Sequence, residues 1–450
     1  MIQVHVGDSE GSSPFPRTKV TRKQVYHTDM WSWRNGRRVR LRGVWLHRVG
    51  SSPIDHTSTH VIAWVFLFGE NMTKPSLNSI KRFFFGNIVC FIALLAAIIT
   101  CFFVKPDKEY LSYIDLRTIC CLLCMMAVIS ALRNVDFFRI LAGKIIKIFK
   151  NTRSAILALV FITYFGSMLI ANDMALITFL PLGYLVLTSA DKKRYMAFTS
   201  IMQNIAANLG GMLTPFGNPQ NLFLYNYFNI PTGEFFKIMY IPFLAAFVLI
   251  LTCCLFVKKE PLEQSDGKPT KIADRPTAIK TVVYLIMFVY SIVIVFRVVP
   301  YWSGLIMLPM IVVLDRKALL QVDYMLLLTF VFFFIFAGNM ARIDAVKAFL
   351  SELIGKNTLL TAALSCQLIS NVPSAILLSS FTTNYKALLM AVNVGGCGTL
   401  ISSLASLITF RQYSYAQPTE KGRYLMLFHA FNFGFLAVLI GVCYGALAIV

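Results

Sequence analysis

Charged residues are scarce in this 450-residue chain, at 14% of the total, while hydrophobic residues make up 57%. An average soluble protein carries about 25% charged and roughly 45–50% apolar residues. A chain this apolar cannot bury its side chains inside one or two water-soluble domains, which argues against a soluble enzyme. Runs such as GNIVCFIALLAAIITCFFV and LLLTFVFFFIFA instead predict many membrane-crossing helices. The expected fold class is therefore an all-α polytopic membrane protein.

Acidic residues are the rarest charged group, 21 against 42 basic ones, which gives a formal net charge of +21. Such an excess can indicate nucleic-acid binding, but no basic patch interleaved with aromatic residues accompanies it. Basic loops on the cytoplasmic side of a membrane explain the charge better. The expected partners are the lipid bilayer and a small-molecule or ion substrate, with no nucleic acid. Nearly all of the ten cysteines lie in apolar stretches, where they act as small hydrophobic residues rather than a disulfide framework.

The first 71 residues differ in composition from the rest of the chain. They hold five of the six His and four of the five Trp, whereas Lys outnumbers Arg, twenty to twelve, from Met72 onward. Their apolar patch VIAWVFLF is shorter than the about 20 residues of a membrane span, and nothing resembles a signal peptide. Two interpretations stay open, a basic cytoplasmic extension or translation that begins at Met72. We favour the second, which a peptide from residues 1–71 in the mature protein would reject.

Lys and Arg are distributed unequally between the loops on the two sides of the predicted membrane segments. If the residues before 83 lie inside, the loops on that side carry 23 Lys and Arg and the opposite loops carry nine. The positive-inside rule then predicts a cytoplasmic N-terminus and an outer C-terminus, in a multi-pass protein of a bacterial-type cell membrane. The predicted segments are 83–104, 118–132, 154–171, 174–190, 195–228, 235–257, 279–298, 301–314, 324–340, 358–383, 386–409 and 424–450.

A re-entrant hairpin is predicted over residues 357–385. Its halves, TLLTAALSCQLIS and AILLSSFTT, would form helices of roughly 20 and 14 Å, too short for about 30 Å of hydrocarbon. Between them Pro373 prevents the helix from continuing. Non-helical backbone at membrane depth is tolerated only beside protein or a water-filled cavity. The tip, Asn371 to Ser374, is therefore expected at a cavity in mid-membrane.

An internal repeat places a second hairpin in the first half of the chain. The arm 154–171 is nearly long enough to span, so this first hairpin depends on the repeat. The two hairpins begin on opposite sides, which defines an inverted-topology repeat, a plan of secondary transporters. The domains expected are a first repeat over 72–257, a cytoplasmic linker over 258–281 and a second repeat over 282–450. The matching motifs are KNT at 150–152 and 356–358, Asn172-Asp173 and Asn371-Val372, and NLGGMLT at 208–214 and NVGGCGT at 393–399.

A membrane helix is predicted to be interrupted after each hairpin, at NLGGMLTPFGNPQN and at NVGGCGT. Glycine permits close backbone approach and proline removes a helical hydrogen bond. Unwound backbone exposes carbonyls that coordinate Na⁺, and half-helix N-termini attract anions. Two hairpin tips and two unwound loops should therefore form one binding site near the midplane. The candidate residues are Asn172, Asp173, Asn208, Gly210, Gly211, Thr214, Pro215, Gly217, Asn218, Asn221, Ser370, Asn371, Pro373, Ser374, Asn393, Gly395, Gly396 and Thr399.

Structural alternatives exist for several of these residues. Asn172 and Asp173 are favoured helix caps, and capping alone would explain them. Asp173 is nevertheless an acid within an apolar region, where acids usually mark an ion or proton path. The glycine pairs 210–211 and 395–396 are also typical of close helix–helix contacts. For TPFGNPQN a surface turn is disfavoured because apolar helix flanks it on both sides.

Four motifs resemble the ion transporter superfamily, which includes arsenite permeases, sodium/proton antiporters, citrate–metal transporters and divalent anion:sodium symporters. They are GSMLIANDMALITFLPL (166–182), GGMLTPFGNPQNLFLY (210–225), SNVPSAILLS (370–379) and NVGGCGTLISSLASL (393–407). The resemblance implies that the hairpin tips and the first unwound loop hold sodium ions and a substrate carboxylate. It also implies an elevator-like motion and, in many members, a homodimer. The residues carried over are Asn172, Ser370, Asn371, Thr214, Pro215, Gly217, Asn218 and Asn221.

The sequence departs from the symporter pattern in two ways. Asp173 and Val372 each replace a small hydroxyl residue, and the second unwound loop lacks Thr-Pro. Both departures favour proton coupling through Asp173. We expect a secondary transporter of a small anionic solute, such as citrate, a dicarboxylate or an oxyanion, with Na⁺ or H⁺ as coupling ion and no other cofactor. A Na⁺/H⁺ antiporter and an arsenite efflux permease are alternatives of the same fold. A passive channel would need a continuous polar path. An intramembrane hydrolase would need a second intramembrane acid, which the sequence does not offer, so no enzyme is expected.

Overall fold

The computed structural model describes residues 28–34, 37–43, 87–146, 150–262 and 275–449. The predicted start at Met72, the basic segment 72–82, residues 83–86 of the first predicted membrane segment and residues 263–274 of the predicted linker lie outside these ranges. The chain divides into two compact units, residues 1–55 and 56–450. In the first unit, β1 (Thr28–Arg34) pairs antiparallel with β2 (Arg37–Gly43), and Thr28 lies opposite Gly43.

The described part of the second unit is α-helical, and seven of its helices are long and apolar enough to cross a membrane. This confirms the predicted all-α polytopic fold. The first repeat contains α3 (Leu116–Asn134), α4 (Phe137–Ile146), α5 (Thr152–Ile170), α6 (Asn172–Ser189), α7 (Met196–Gly210), α8 (Pro219–Tyr227) and α9 (Thr232–Leu255), preceded by α1 (Ile88–Phe103) and α2 (Tyr110–Tyr113).

The second half repeats this order of helices. Before its matching segment lie α10 (Arg275–Val295) and α11 (Met307–Leu320), and α11 is kinked at Asp315. The second repeat then contains α12 (Tyr324–Ala341), α13 (Asp344–Lys356), α14 (Thr358–Ile369), α15 (Asn371–Ser379), α16 (Tyr385–Val394), α17 (Leu404–Ala416) and α18 (Lys421–Leu447).

Helix caps recur at equivalent positions of the two halves. Asp115 and Asp323 precede α3 and α12, and each accepts a hydrogen bond from the backbone N–H three residues later. Asn151 and Asn357 do the same before α5 and α14. A carboxylate or amide at this position satisfies a donor that the first turn leaves unpaired. The local structure of the two halves therefore follows the repeat in the sequence.

The two hairpin tips have the same unusual backbone conformation. Ala171 joins α5 to α6 with φ 61° and ψ 151°, and Ser370 joins α14 to α15 with φ 75° and ψ 159°. Non-glycine residues rarely adopt positive φ, and such strain clusters at functional sites. The second hairpin has arms of 12 and 9 residues. The first has arms of 19 and 18 residues, long enough to cross by length alone, so its depth in the membrane stays a prediction.

Both predicted helix interruptions are present. The first lies between Gly210, the last residue of α7, and Pro219, the first of α8, and it contains one short 3₁₀ turn. The second lies between Val394 and Leu404. The first is shorter than predicted because Asn221 already belongs to α8.

Contacts between loops agree with the predicted grouping of loops by side. On the side predicted as inner, Lys192 pairs with Glu260 at 2.9 Å, and Tyr195 donates to the same carboxylate at 2.8 Å. The hydrogen bond from Lys192 lowers the pKa of Glu260 to about 2. On the opposite side, Arg342 pairs with Asp107 at 2.7 Å. Each contact joins two loops that the charge distribution assigns to the same side; which side faces the cytoplasm stays a prediction.

Candidate substrate and ion site

The two hairpin tips and the ends of both interruptions line one cavity of about 350 Å³. One wall is formed by the tips together with the first turns of α8 and α17. The other wall is formed by residues between 89 and 96 of α1 and between 325 and 336 of α12. The volume is in the range of sites for small ligands. The polar residues that line it are Asn87, Asn172, Asp173, Gln220, Asp323, Thr329, Ser370, Asn371 and Ser403.

Asn208 connects the first tip to the second unwound loop. Its side-chain oxygen accepts from the Asn172 amide at 3.1 Å and from the Ser403 hydroxyl at 2.8 Å. Its amide points to the carbonyl of Gly396 at 3.4 Å. Asn208 itself is 2% exposed, so these bonds form in an interior without competing water. The residue therefore fixes the first tip and the second loop relative to each other.

The repeat is visible in this polar network. Ser403 on the second loop donates to Asn208 of the first repeat, and Asn218 on the first loop donates at 3.1 Å to Asn393 of the second. The two hydrogen bonds join equivalent positions of the repeat, because Asn218 and Ser403 lie 185 residues apart, as do Asn208 and Asn393. The Asn393 amide in turn donates to Asn221 at 2.6 Å. The two unwound loops are thus joined to each other by amides.

In the glycine pairs 210–211 and 395–396, the first and second glycine make different contacts. A Cβ on Gly210 would collide with the backbone of α5, and one on Gly395 would lie 2.9 Å from a side chain of α14. The first glycine of each pair therefore serves close helix–helix contact, which was the structural alternative. A Cβ on Gly396 would lie 3.2 Å from the amide nitrogen of Asn371, at the second tip. The second glycine of this pair lets the loop approach the candidate site.

Asn172 and Asn371 have matching environments at the two tips. Each side-chain oxygen accepts a hydrogen bond from the next backbone N–H, that of Asp173 at 2.9 Å and that of Val372 at 3.0 Å. The N-cap position of α6 is Ala171, so neither Asn172 nor Asp173 caps this helix in the usual way. The Asn172 oxygen therefore satisfies one first-turn N–H of α6, as a capping group does, whereas Oδ1 of Asp173 has no such partner.

Among the residues that line the cavity, two buried acceptor atoms have no hydrogen-bond partner in the described part of the chain. They are Oδ1 of Asp173 and Oε1 of Gln220, and both residues line the cavity. Asp323 lines the opposite wall. No Lys or Arg is among the lining residues that the structure describes. The sequence predicted Asp173 but missed Gln220, Asp323 and Ser403; only Ser403 carries a signal, its distance of 185 residues from Asn218.

Several predicted residues support the site without lining the cavity. Thr214 donates to the carbonyl of Met168 at 2.7 Å, which fastens the first loop to α5. Thr399 bonds to Gln367 of α14 through its backbone N–H at 2.8 Å. Ser374 is fully buried in α15. The cavity thus brings together Asn172, Asp173, Ser370, Asn371 and Pro373, whereas Asn208, Gly210, Gly211, Thr214, Pro215, Gly217, Asn218, Asn221, Ser374, Asn393, Gly395, Gly396 and Thr399 are not on its surface.

The cavity extends toward one side of the helix bundle. Its lining includes Asn87 and Asp323, which directly precede α1 and α12 on the side predicted as cytoplasmic. On the opposite side α8 packs against α3, and the Asn226 amide donates to the Thr118 hydroxyl at 3.0 Å. There Arg297 also donates to the carbonyls of Tyr225 and Ile230 and stacks over the Tyr225 ring at 4.0 Å. We call the side with Asp323, which lines the cavity and is exposed, the open side, and the side on which Asn226 bonds to Thr118 the covered side.

The chain is similar to known membrane proteins. The family model described as citrate transporter matches residues 85–387, which include both hairpins and the first interrupted helix. An uncharacterized transporter of Methanocaldococcus jannaschii is 32% identical over 325 residues, 71% of this chain and 86% of that protein. The inner membrane protein YbiR of Escherichia coli is 29% identical over 358 residues, 76% of this chain and 90% of its own. The chain therefore belongs to the citrate transporter family and is a multi-pass membrane transporter.

Proposed function

We propose that the protein is a secondary active transporter of a small, oxygen-rich anionic solute, such as citrate, a dicarboxylate or an oxyanion, coupled to Na⁺ or H⁺ in the cell membrane. The observation that carries the proposal is the meeting of both hairpin tips with the first turns of α8 and α17 at one cavity. Four helix N-termini directed at one place favour a negatively charged ligand. Amides and hydroxyls from Asn172, Ser370, Asn371 and Ser403 offer donors and acceptors without a fixed charge.

The charges around the cavity support coupling to a cation. The described lining contains two carboxylates, Asp173 and Asp323, and no basic side chain. An anion close to a carboxylate is repelled unless a proton or metal ion neutralises one of them. The unpartnered oxygens of Asp173 and Gln220 are acceptors suited to Na⁺ or to a proton. The solute and the cation would therefore bind together, which is the thermodynamic basis of symport.

The covered side of the site favours a carrier over a passive channel. A channel needs a polar path that is continuous from one face to the other. Here the Asn226–Thr118 bond and the Arg297 contacts lie on the side away from the opening. A carrier opens its site to one side at a time, and this structure matches one such state.

Cation/proton antiport is a second candidate, supported by a specific observation. Asp173 and Asp323 are the charged groups of the described lining, and two acids facing one cavity can exchange a proton for Na⁺ without any anion. Efflux of arsenite, which is uncharged at neutral pH, would also need no basic residue. These alternatives share the site and differ only in what occupies it.

Flux in proteoliposomes tests the proposal. Purified protein is reconstituted, and uptake of citrate, succinate and arsenite is measured under imposed Na⁺ and pH gradients, together with Na⁺/H⁺ exchange without any solute. We expect uptake of a carboxylate that needs an ion gradient and is lost in Asn371→Ala. Asn432→Ala is the matched control, since Asn432 is a buried amide of α18 that donates to the carbonyl of Phe428 and does not line the cavity. Gradient-independent currents, or Na⁺/H⁺ exchange alone, would overturn the proposal.

A further inference from the structure

The repeat relates the open side of the cavity to the covered side. On the covered side α3 begins after Asp115, and on the open side α12 begins after Asp323. The two aspartates cap their helices in the same way and lie 208 residues apart. In an inverted repeat the start of α12 on one side is therefore equivalent to the start of α3 on the other.

The second helices of the two interrupted segments can be aligned in the same manner. α8 begins after Asn218 and α17 begins after Ser403, and these two residues are 185 apart, as are Asn208 and Asn393. Asn226, near the end of α8, thereby corresponds to position 411 of α17. That position is occupied by an arginine.

The covered side shows what these positions do when they meet. Asn226 donates to the Thr118 hydroxyl at 3.0 Å, and the Thr118 backbone N–H donates to Asp115 at 3.1 Å. The contact connects α8, which carries part of the site, to α3. Its counterpart on the open side would connect Arg411 to the start of α12.

In this structure Arg411 and Asp323 do not pair with each other. Leu404 and Leu407 of α17 line the cavity opposite α12, and Arg411 lies one turn further along the same helix face. Asp323 lines the cavity from α12, and both it and Arg411 are exposed. Neither forms an ion pair with another residue in the described part of the chain.

We propose that Arg411 and Asp323 form the gate of the open side: when the cavity closes there, the Arg411 guanidinium binds the Asp323 carboxylate. The inference depends on the carrier function proposed above, because only a carrier alternates between two closed sides. Arginine reaches further than asparagine and binds a carboxylate through two parallel N–H groups. A direct Arg–Asp pair can therefore replace the Asn–Thr–Asp chain of the covered side.

Disulfide trapping tests the gate without any solute. Asp323→Cys with Arg411→Cys is oxidised in native membranes, and the bridge is identified by mass spectrometry, since the chain has ten cysteines of its own. A disulfide needs Cα atoms within about 7 Å, so it reports closure. Asp323→Cys with Ala416→Cys, on another face of α17, is the control for random collision. We expect a bridge in the first pair and little in the control.

A lock on the covered side provides the decisive comparison. Thr118→Cys with Asn226→Cys should form a bridge readily, because these side chains are in contact here. In the quadruple variant, oxidising that pair first should lower the Asp323–Arg411 bridge at least several-fold. The proposal is overturned if that bridge never forms while the Thr118–Asn226 bridge does, or if both form together in one molecule.

A charge exchange tests the ion pair itself. Arg411→Asp and Asp323→Arg should each slow citrate uptake, and the double variant should recover about two- to fivefold, the range expected for a partly exposed pair. Equal losses that add without recovery would show that the residues do not pair. Since trapping requires no transport, an inactive preparation that still forms the bridge would contradict the solute assignment and leave the gate standing.

Discussion

Replacing Gly396 by alanine is predicted to weaken transport through the second hairpin tip. The added Cβ would lie 3.2 Å from the Asn371 amide nitrogen and 3.2 Å from the Asn393 carbonyl oxygen. Such distances are too short for ordinary van der Waals contact, which begins at about 3.5 Å. The backbone carbonyl is held by helix α16, so the amide of Asn371 must move by a few tenths of an ångström.

The expected magnitude follows from the cost of overpacking. Inserting one methyl group into a well-packed interior typically costs about 1–3 kcal/mol. A factor of ten in affinity corresponds to about 1.4 kcal/mol. If the methyl group destabilises the solute-bound state by about 1–3 kcal/mol, the apparent affinity for the solute falls by about 5- to 150-fold. Gly396 does not have a positive φ, so alanine fits its backbone and the effect is steric.

Citrate uptake and thermal unfolding of the purified protein measure the two parts of this prediction. Gly441→Ala on α18 is the matched control, since a Cβ there meets no atom within 4 Å. The control should keep wild-type uptake, whereas Gly396→Ala should raise the KM for citrate while membrane insertion is unchanged. Wild-type KM in Gly396→Ala, together with lost uptake in Asn371→Ala, would refute the close approach of this loop to the site.

Three further predictions concern the tips and the inner loops. Asn172→Ala and Asn371→Ala should each abolish uptake without preventing membrane insertion; uptake retained in both would make the tips structural. Asp173→Asn should flatten the pH dependence of uptake, because it removes the acid of the first tip; an unchanged profile would exclude this acid from coupling. Glu260→Gln should be less stable than wild type at neutral pH, because Lys192 lowers the pKa of Glu260 from 4.5 to about 2. That difference should disappear in melting curves as the pH falls from about 4.5 toward 2, and a difference that persists there would argue against the ion pair.

The membrane segments could be predicted closely because apolar runs are bounded by capping and turn residues. The segment expected at 324–340 is a helix at Tyr324–Ala341, and the one expected at 118–132 is Leu116–Asn134. The small extensions reflect caps such as Asp115, which start a helix before its apolar run begins. Loop charge groups the loops by side because Lys and Arg avoid the bilayer core, and the side that faces the cytoplasm stays a prediction.

The site could be predicted only in part. Asn172 and Asn371 stand out as polar residues inside apolar runs, and both line the cavity. Gln220 and Asp323 do not stand out, since each begins a helix that would need a polar residue there anyway. What brings them to the cavity is the packing of helices distant in sequence. Sequence patterns carry no direct signal of that packing.

The glycine pairs show another limit of sequence reasoning. Gly395 and Gly396 are adjacent, yet one faces α14 and the other faces the second tip. Their separation depends on the direction in which each Cα hydrogen points at the end of α16. The sequence predicts that a small residue is needed at each of these two positions. It does not indicate which neighbouring helix or loop requires the small residue.

Labelling of single cysteines from either face of the membrane is the most direct measurement of the central claim. We expect cysteines at positions 172 and 371 to react with a membrane-impermeant maleimide from the same face, that at which α12 begins. A short bifunctional maleimide should also join the two cysteines within one molecule. Reaction of the two positions from opposite faces, with no bridge between them, would contradict a single cavity shared by both halves.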